Sequence, residues 1–106
     1  MAAVLNSEIQ SRREEINTLC ARFGVRRLEL FGSAAGGKFD PARSDFDFLV
    51  DFHDVDGLNA FDQYFGLKEE LEKVLGRRVD LVSDGAVTNR YLRQSIDRNR
   101  RLLYAA

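Results

Sequence analysis

Asp45 and Asp47 open the segment Asp-Phe-Asp-Phe-Leu-Val-Asp-Phe, residues 45–52. As a strand, this segment puts Phe46, Phe48, Val50 and Phe52 on one face and Asp45, Asp47, Leu49 and Asp51 on the other. Carboxylates two residues apart on a strand point the same way, roughly 6–7 Å from each other. At an effective dielectric near 20 their repulsion is about 2–3 kcal/mol. A sequence selected only for stability rarely keeps such a pair. A divalent cation turns the repulsion into attraction, and hard oxygen donors suit magnesium or manganese. Asp80 is a third acid of interest, set in the apolar run Val79-Asp80-Leu81-Val82. An acid in a buried strand is costly unless it has a partner. If that strand lies beside residues 45–52, the three carboxylates meet. Such a trio can hold two metal ions about 3.5–4 Å apart, which activate an attacking oxygen and steady a leaving phosphate. Each residue also has a plainer reading: Asp45 capping a turn, Asp47 solvated, Asp80 closing an edge strand.

Gly32-Ser33 follows another apolar segment, Leu28-Glu29-Leu30-Phe31. Glycine lets a phosphate approach the backbone, and the Ser33 amide and hydroxyl can donate to its oxygens. A Gly-Ser turn alone is common. Strand, Gly-Ser, short loop, Asp-x-Asp and a later lone Asp are far more specific together. Residues 32–38, Gly-Ser-Ala-Ala-Gly-Gly-Lys, satisfy the first seven positions of a P-loop, but Phe39 stands where Ser or Thr is needed and Asp40-Pro41 follows where a helix should. Asp54-Val55-Asp56-Gly57 likewise fails as a calcium loop, with Phe52 and Gln63 at its end positions.

The elements that must position these residues can be read from periodicity. A helix is expected over about residues 6–23, with Leu5, Ile9, Ile16, Leu19, Cys20 and Phe23 on its stripe and Gly24 as its stop. Strands are expected at about 26–31, 45–52 and 78–82. A helix over about 58–75 carries Phe61, Tyr64, Phe65, Lys68, Leu71 and Leu75 on one face, and Gly76 ends it. A last helix is expected over about 88–104. The order α-β-β-α-β-α predicts an α+β (mixed α/β) domain, a small mixed sheet backed by helices, spanning residues 1–106.

Composition narrows the function. The 106 residues carry 16 Lys and Arg against 17 Asp and Glu, a net charge of -1 that argues against a general nucleic-acid binder. One cysteine, Cys20, excludes an internal disulfide framework and suits a reducing compartment. No apolar run is long enough for a membrane span, and the start of the chain lacks signal-peptide character, so the cytoplasm is the expected location. His53 reads as a surface loop residue and Cys20 as core. Arg90, Arg93, Arg98, Arg100 and Arg101 read first as a solvated helix face and second as a docking surface. The aromatics Phe61, Tyr64 and Phe65 read first as core, but three neighbours exceed one narrow stripe, so part of that group can be an interface.

Gly32-Ser33, then Ser44-Asp45-Phe46-Asp47-Phe48-Leu49-Val50, then Arg78-Val79-Asp80-Leu81-Val82 resemble the minimal nucleotidyltransferases (MNT) of the DNA polymerase beta superfamily. The resemblance covers about residues 23–104. Many members of the group are antitoxins paired with a HEPN-domain toxin ribonuclease, and members transfer AMP from ATP to a tyrosine of that toxin. The resemblance implies Asp45, Asp47 and Asp80 as ligands of two Mg2+ ions and as the catalytic carboxylates. It implies Gly32 and Ser33 as the triphosphate holders. The family's usual arginine after Gly-Ser-x-Ala is replaced by Gly36, and Lys38 or Arg43 could supply that charge. The implied partners are ATP and a HEPN toxin, with a hetero-oligomer as the assembly. Two alternatives are a weakly active or inactive fold that neutralises its toxin by contact, and a transferase acting on a small molecule. The latter has little room in 106 residues for an enclosing second domain.

Overall fold

The computed structural model describes residues 7–32 and 45–106. The expected first helix is two pieces, α1 (Ser7–Ser11) and α2 (Arg13–Arg22), broken at Arg12, whose φ of -112° and ψ of 13° leave the helical path. Ile9 and Ile16 are both buried, so the apolar stripe runs through the break. Strands β1 (Val25–Phe31) and β2 (Phe46–Phe52) follow, then α3 (Ala60–Leu75), β3 (Val79–Ser83), a 3-10 turn (Asp84–Ala86), α4 (Arg90–Asn99) and β4 (Arg101–Ala105). The mixed α+β class is as expected. The final helix, however, stops at Asn99, and the remaining residues form a fourth strand.

The sheet order is β3-β2-β1-β4. β1 runs antiparallel to both β2 and β4, while β2 and β3 are parallel and joined across α3. Strand alternation gives the sheet two different faces. Phe46, Phe48, Val50, Leu28, Leu30, Val79 and Leu81 join Ile9, Ile16, Leu67 and Leu71 in the main core. The opposite face carries Phe31 and Leu49, covered by Ile96 of α4 with Val82 and Val87. Asp47 and Asp80 belong to this second face, as the register places Asp47 between Phe31 and Asp80.

α3 is capped by Asn59, whose side chain accepts the Asp62 amide at 2.8 Å. It ends at Gly76, whose φ of 63° is the left-handed conformation glycine adopts at little cost. Its buried residues are Gln63, Leu67 and Leu71. The sequence-based face centred on Phe61 and Phe65 is thus rotated: Phe61 is 67% exposed and Phe65 47%. Gln63 takes the inward position because its amide nitrogen donates to the Phe23 carbonyl at 3.0 Å and the His53 carbonyl at 2.8 Å. These two bonds tie α3 to the segments that enter β1 and leave β2.

Candidate active site

Phe46 is fully buried, which fixes Asp45 and Asp47 on the opposite face of the strand. Asp80 is the direct register partner of Asp47 across the parallel pair, and adjacent strands lie about 4.8 Å apart. Asp80 is exposed because β3 is an edge strand; the sequence-based expectation of a buried position is corrected on that point. Its neighbours Val79 and Leu81 supply the burial instead. A cleft of about 270 Å³ is lined by Asp45, Asp47, Lys68, Arg78, Val79 and Asp80. All three expected acids therefore border one space.

Their electrostatics are unsatisfied. Asp45, Asp47 and Asp80 make no side-chain hydrogen bond or ion pair among the described residues. Burial pushes the Asp47 carboxyl up to about 6, aided by repulsion from Asp80 and then Asp45. Tyr64, on α3, donates its hydroxyl to the Leu81 carbonyl and so ties the helix to the strand that carries Asp80. Burial, and after it the Asp80 charge, raises the Tyr64 pKa.

Gly32 closes the other side of Asp47. Its φ is 75°, and a Cβ there would run into the Asp47 Oδ2 atom. Both backbone conformation and space therefore demand glycine, and the main chain at the end of β1 borders the carboxylate directly. Ser33, Lys38 and Arg43, expected as nucleotide contacts, lie outside the described residues.

Among the described residues no three acidic, histidine or cysteine side chains converge on a single ion position. The carboxylates border an open cleft instead. That openness fits magnesium, which keeps several waters and commonly takes one or two protein carboxylates together with substrate phosphates. The donor set is all oxygen, it is short of positive charge at Asp47, and Gly32 leaves a cradle beside it that a Cβ would fill.

Lys68 and Arg78 were not among the expected site residues. Arg78 stands two residues before Asp80, on the same face of the strand by alternation, and that spacing was legible. Lys68 falls on the expected apolar face of its helix, where a charge is the signal of a site. His53 is exposed, and its ring Nδ1 lies 3.0 Å from the Asp54 carbonyl. Cys20 is buried, its thiol pushed up to about 12 by burial, so it is not a nucleophile. Two of the five arginines on the terminal segment are structural: Arg93 pairs with Asp84 at 2.7 Å and Arg100 with Glu29 at 2.6 Å.

A glycine bend, an Asp-x-Asp strand and a parallel neighbour bearing a third acid thus meet at one cleft of a mixed sheet. The nucleotidyltransferase domain model matches residues 12–103, and the chain belongs to that family. It is 36% identical over 85 residues to a Methanocaldococcus jannaschii protein, MJ1379, whose assigned name is that of a protein adenylyltransferase; the match spans 80% of this chain and 83% of the relative. A solved structure described as a minimal nucleotidyltransferase superposes with a TM-score of 0.73 at 35% identity, covering 95% of this chain and 98% of the other. The fold is also shared, at 22% identity and a TM-score of 0.63, with a chain of a Shewanella oneidensis complex between a tri-AMPylated HEPN toxin and an MNT antitoxin. That superposition covers 92% of this chain and 72% of that one. No helix among the described residues is long and apolar enough to cross a membrane.

Proposed function

We propose that this chain is an antitoxin that transfers AMP from ATP to a tyrosine of a cognate HEPN toxin in the cytoplasm, working as one catalytic domain over residues 1–106. The observation that carries the reading is the meeting of Asp45, Asp47 and Asp80 on one cleft beside the Gly32 bend. The names of its relative and of the Shewanella complex support a protein acceptor and a toxin partner. The tyrosine hydroxyl oxygen forms a bond to the α-phosphorus of ATP, the bond to the bridging oxygen breaks, pyrophosphate leaves, and the hydroxyl proton is released to solvent.

Asp45 and Asp47 would hold two Mg2+ ions, and Asp80 would share the one on the acceptor side. Bound there, the ions supply charge neutralisation for the attacking and leaving oxygens. The protein's own task is positioning. Gly32 admits the triphosphate against the backbone, and Ser33, Lys38 and Arg43 are the proposed further nucleotide contacts. Asp47 must shed its proton, which the raised pKa delays to about pH 6. The Tyr64 bond to Leu81 holds β3 in place beneath Asp80.

Incubation of the purified pair with ATP and magnesium, followed by intact mass measurement, is expected to add AMP to the toxin. Asp47→Asn should abolish the addition, and unchanged labelling by that variant would remove the mechanism. A second reading, neutralisation by contact alone, is favoured by Gly36 in place of the family arginine and by the exposed Phe61–Phe65 pair. It predicts toxin protection that survives Asp45→Ala combined with Asp47→Ala.

A further inference from the structure

We propose that Lys68 and Arg78 form the acceptor side of the cleft and select hydroxyls that lie beside a carboxylate; this rests on the AMP-transfer reading above. Across the sheet, the row runs Gly32 and Phe31 at the end of β1, Asp47 on β2, Asp80 on β3. The glycine end is where backbone approaches without a side chain, and it suits the polyphosphate. The far end is an open sheet edge, with no strand beyond β3 among the described residues. A macromolecular acceptor must reach Asp80 from there. Two cations line the same cleft: Arg78, two residues before Asp80, and Lys68 of α3.

Their donors are available. Arg78 has no side-chain hydrogen bond or ion pair among the described residues, although it shares the cleft with three carboxylates. Lys68 has only Glu72 at 3.9 Å, and the same Glu72 oxygen already accepts the Val79 amide at 3.1 Å. Cations meant to neutralise the site's own acids would close on them, as Arg100 closes on Glu29 at 2.6 Å. These two do not, and they remain free to meet a carboxylate that arrives with the acceptor. An acidic residue next to the modified hydroxyl satisfies both, and a basic one is repelled.

Two synthetic peptides test this, each with one tyrosine, flanked by glutamates in one and by glutamines in the other. With ATP and magnesium, the glutamate peptide is expected to show a KM lower by about tenfold. Arg78→Ala and Lys68→Ala should each remove most of that preference while the KM for ATP stays put. Arg78→Glu should turn the preference toward a third peptide, whose tyrosine is flanked by lysines. Fluorescence anisotropy of the labelled glutamate peptide, with magnesium and a non-transferable ATP analogue, should show the same order without turnover. Transfer with equal KM for the two peptides overturns the selectivity alone, as does a rise in the KM for ATP in place of the peptide effect. Binding of the glutamate peptide without transfer overturns the AMP-transfer reading and leaves the selectivity standing. Neither binding nor transfer overturns both.

Discussion

Glu29 and Asp47 stand on the same sheet face, on adjacent strands, and the protein treats the two carboxylates in opposite ways. Glu29 is only 3% exposed, yet it is surrounded by donors. Arg100 reaches both of its oxygens at 2.6 Å, and Arg27 adds a third contact at 2.8 Å. Hydrogen bonds from Arg100 hold the Glu29 carboxyl below its usual range in spite of burial. Asp47 has no such partner and is pushed up to about 6. A fold able to place two guanidinium groups around one acid leaves another, a strand away, without an ion pair among the described residues, although Lys68 and Arg78 line the same cleft. The difference separates an acid that holds structure from one kept short of charge for a ligand to supply.

The largest way to sharpen that contrast is at Asp47. Asp47→Asn keeps the shape and removes the charge, and AMP transfer should fall by at least about 10³-fold, roughly 4 kcal/mol of lost transition-state stabilisation. Single-turnover labelling of the toxin measures it. The matching Asn or Gln change at Glu29 should leave the chemistry largely intact in whatever fraction remains folded.

Stability reverses the ranking. Glu29→Ala strands Arg100 and Arg27 and should cost about 3 kcal/mol in unfolding free energy, the low end for breaking a buried ion pair. The low end applies because the side chain of Arg27 is 54% exposed and can turn to water. Urea unfolding checks it, and a loss below about 1 kcal/mol would show that the pair contributes no more than a surface one.

The sequence disclosed these two acids unequally. Asp45 and Asp47 were legible because strand alternation is local: Phe46 and Phe48 had to face the core, so the acids had to face away. Asp80 needed one further fact, that β3 pairs with β2 in parallel at that register, and only the motif order suggested it. The pairing of Glu29 with Arg100 spans 71 positions and left no local trace. The same pair bears on the missed strand β4. Leu92, Ile96 and Leu103 suit a helical stripe, but Arg100 takes an extended conformation, with φ -63° and ψ 139°, as its guanidinium engages Glu29. The chain beyond it fills the free edge of β1. On α3, hydropathy favoured Phe61 and Phe65, while the two carbonyls bound by Gln63 decided the rotation. Hydrogen bonding to distant backbone carries no periodicity for a sequence to display.

The smallest expected effect is the one that tests the contrast most directly. The folded pKa of Asp47 lies above its ordinary value of 3.8, so its contribution to stability is fully present below about pH 4 and is lost as pH rises through about 6. Glu29 has the opposite sign: its contribution is present above the ordinary value of 4.5 and is lost as pH falls through its lowered folded value. Without metal, Asp47→Asn should therefore be more stable than the parent by about 1–2 kcal/mol near pH 8, after discounting a shift of about two units for solvent screening. Near pH 4 the difference should vanish, because the parent carboxyl is then protonated and nearly equivalent to the amide. Glu29→Gln should show a deficit near pH 8 that shrinks toward low pH. Magnesium added at pH 8 should raise the parent's melting temperature and leave that of Asp47→Asn nearly unmoved, since the charge it would relieve is gone. A difference between parent and Asp47→Asn that stays flat from pH 4 to pH 8 would mean that Asp47 carries no electrostatic debt, and the distinction between the two acids would collapse.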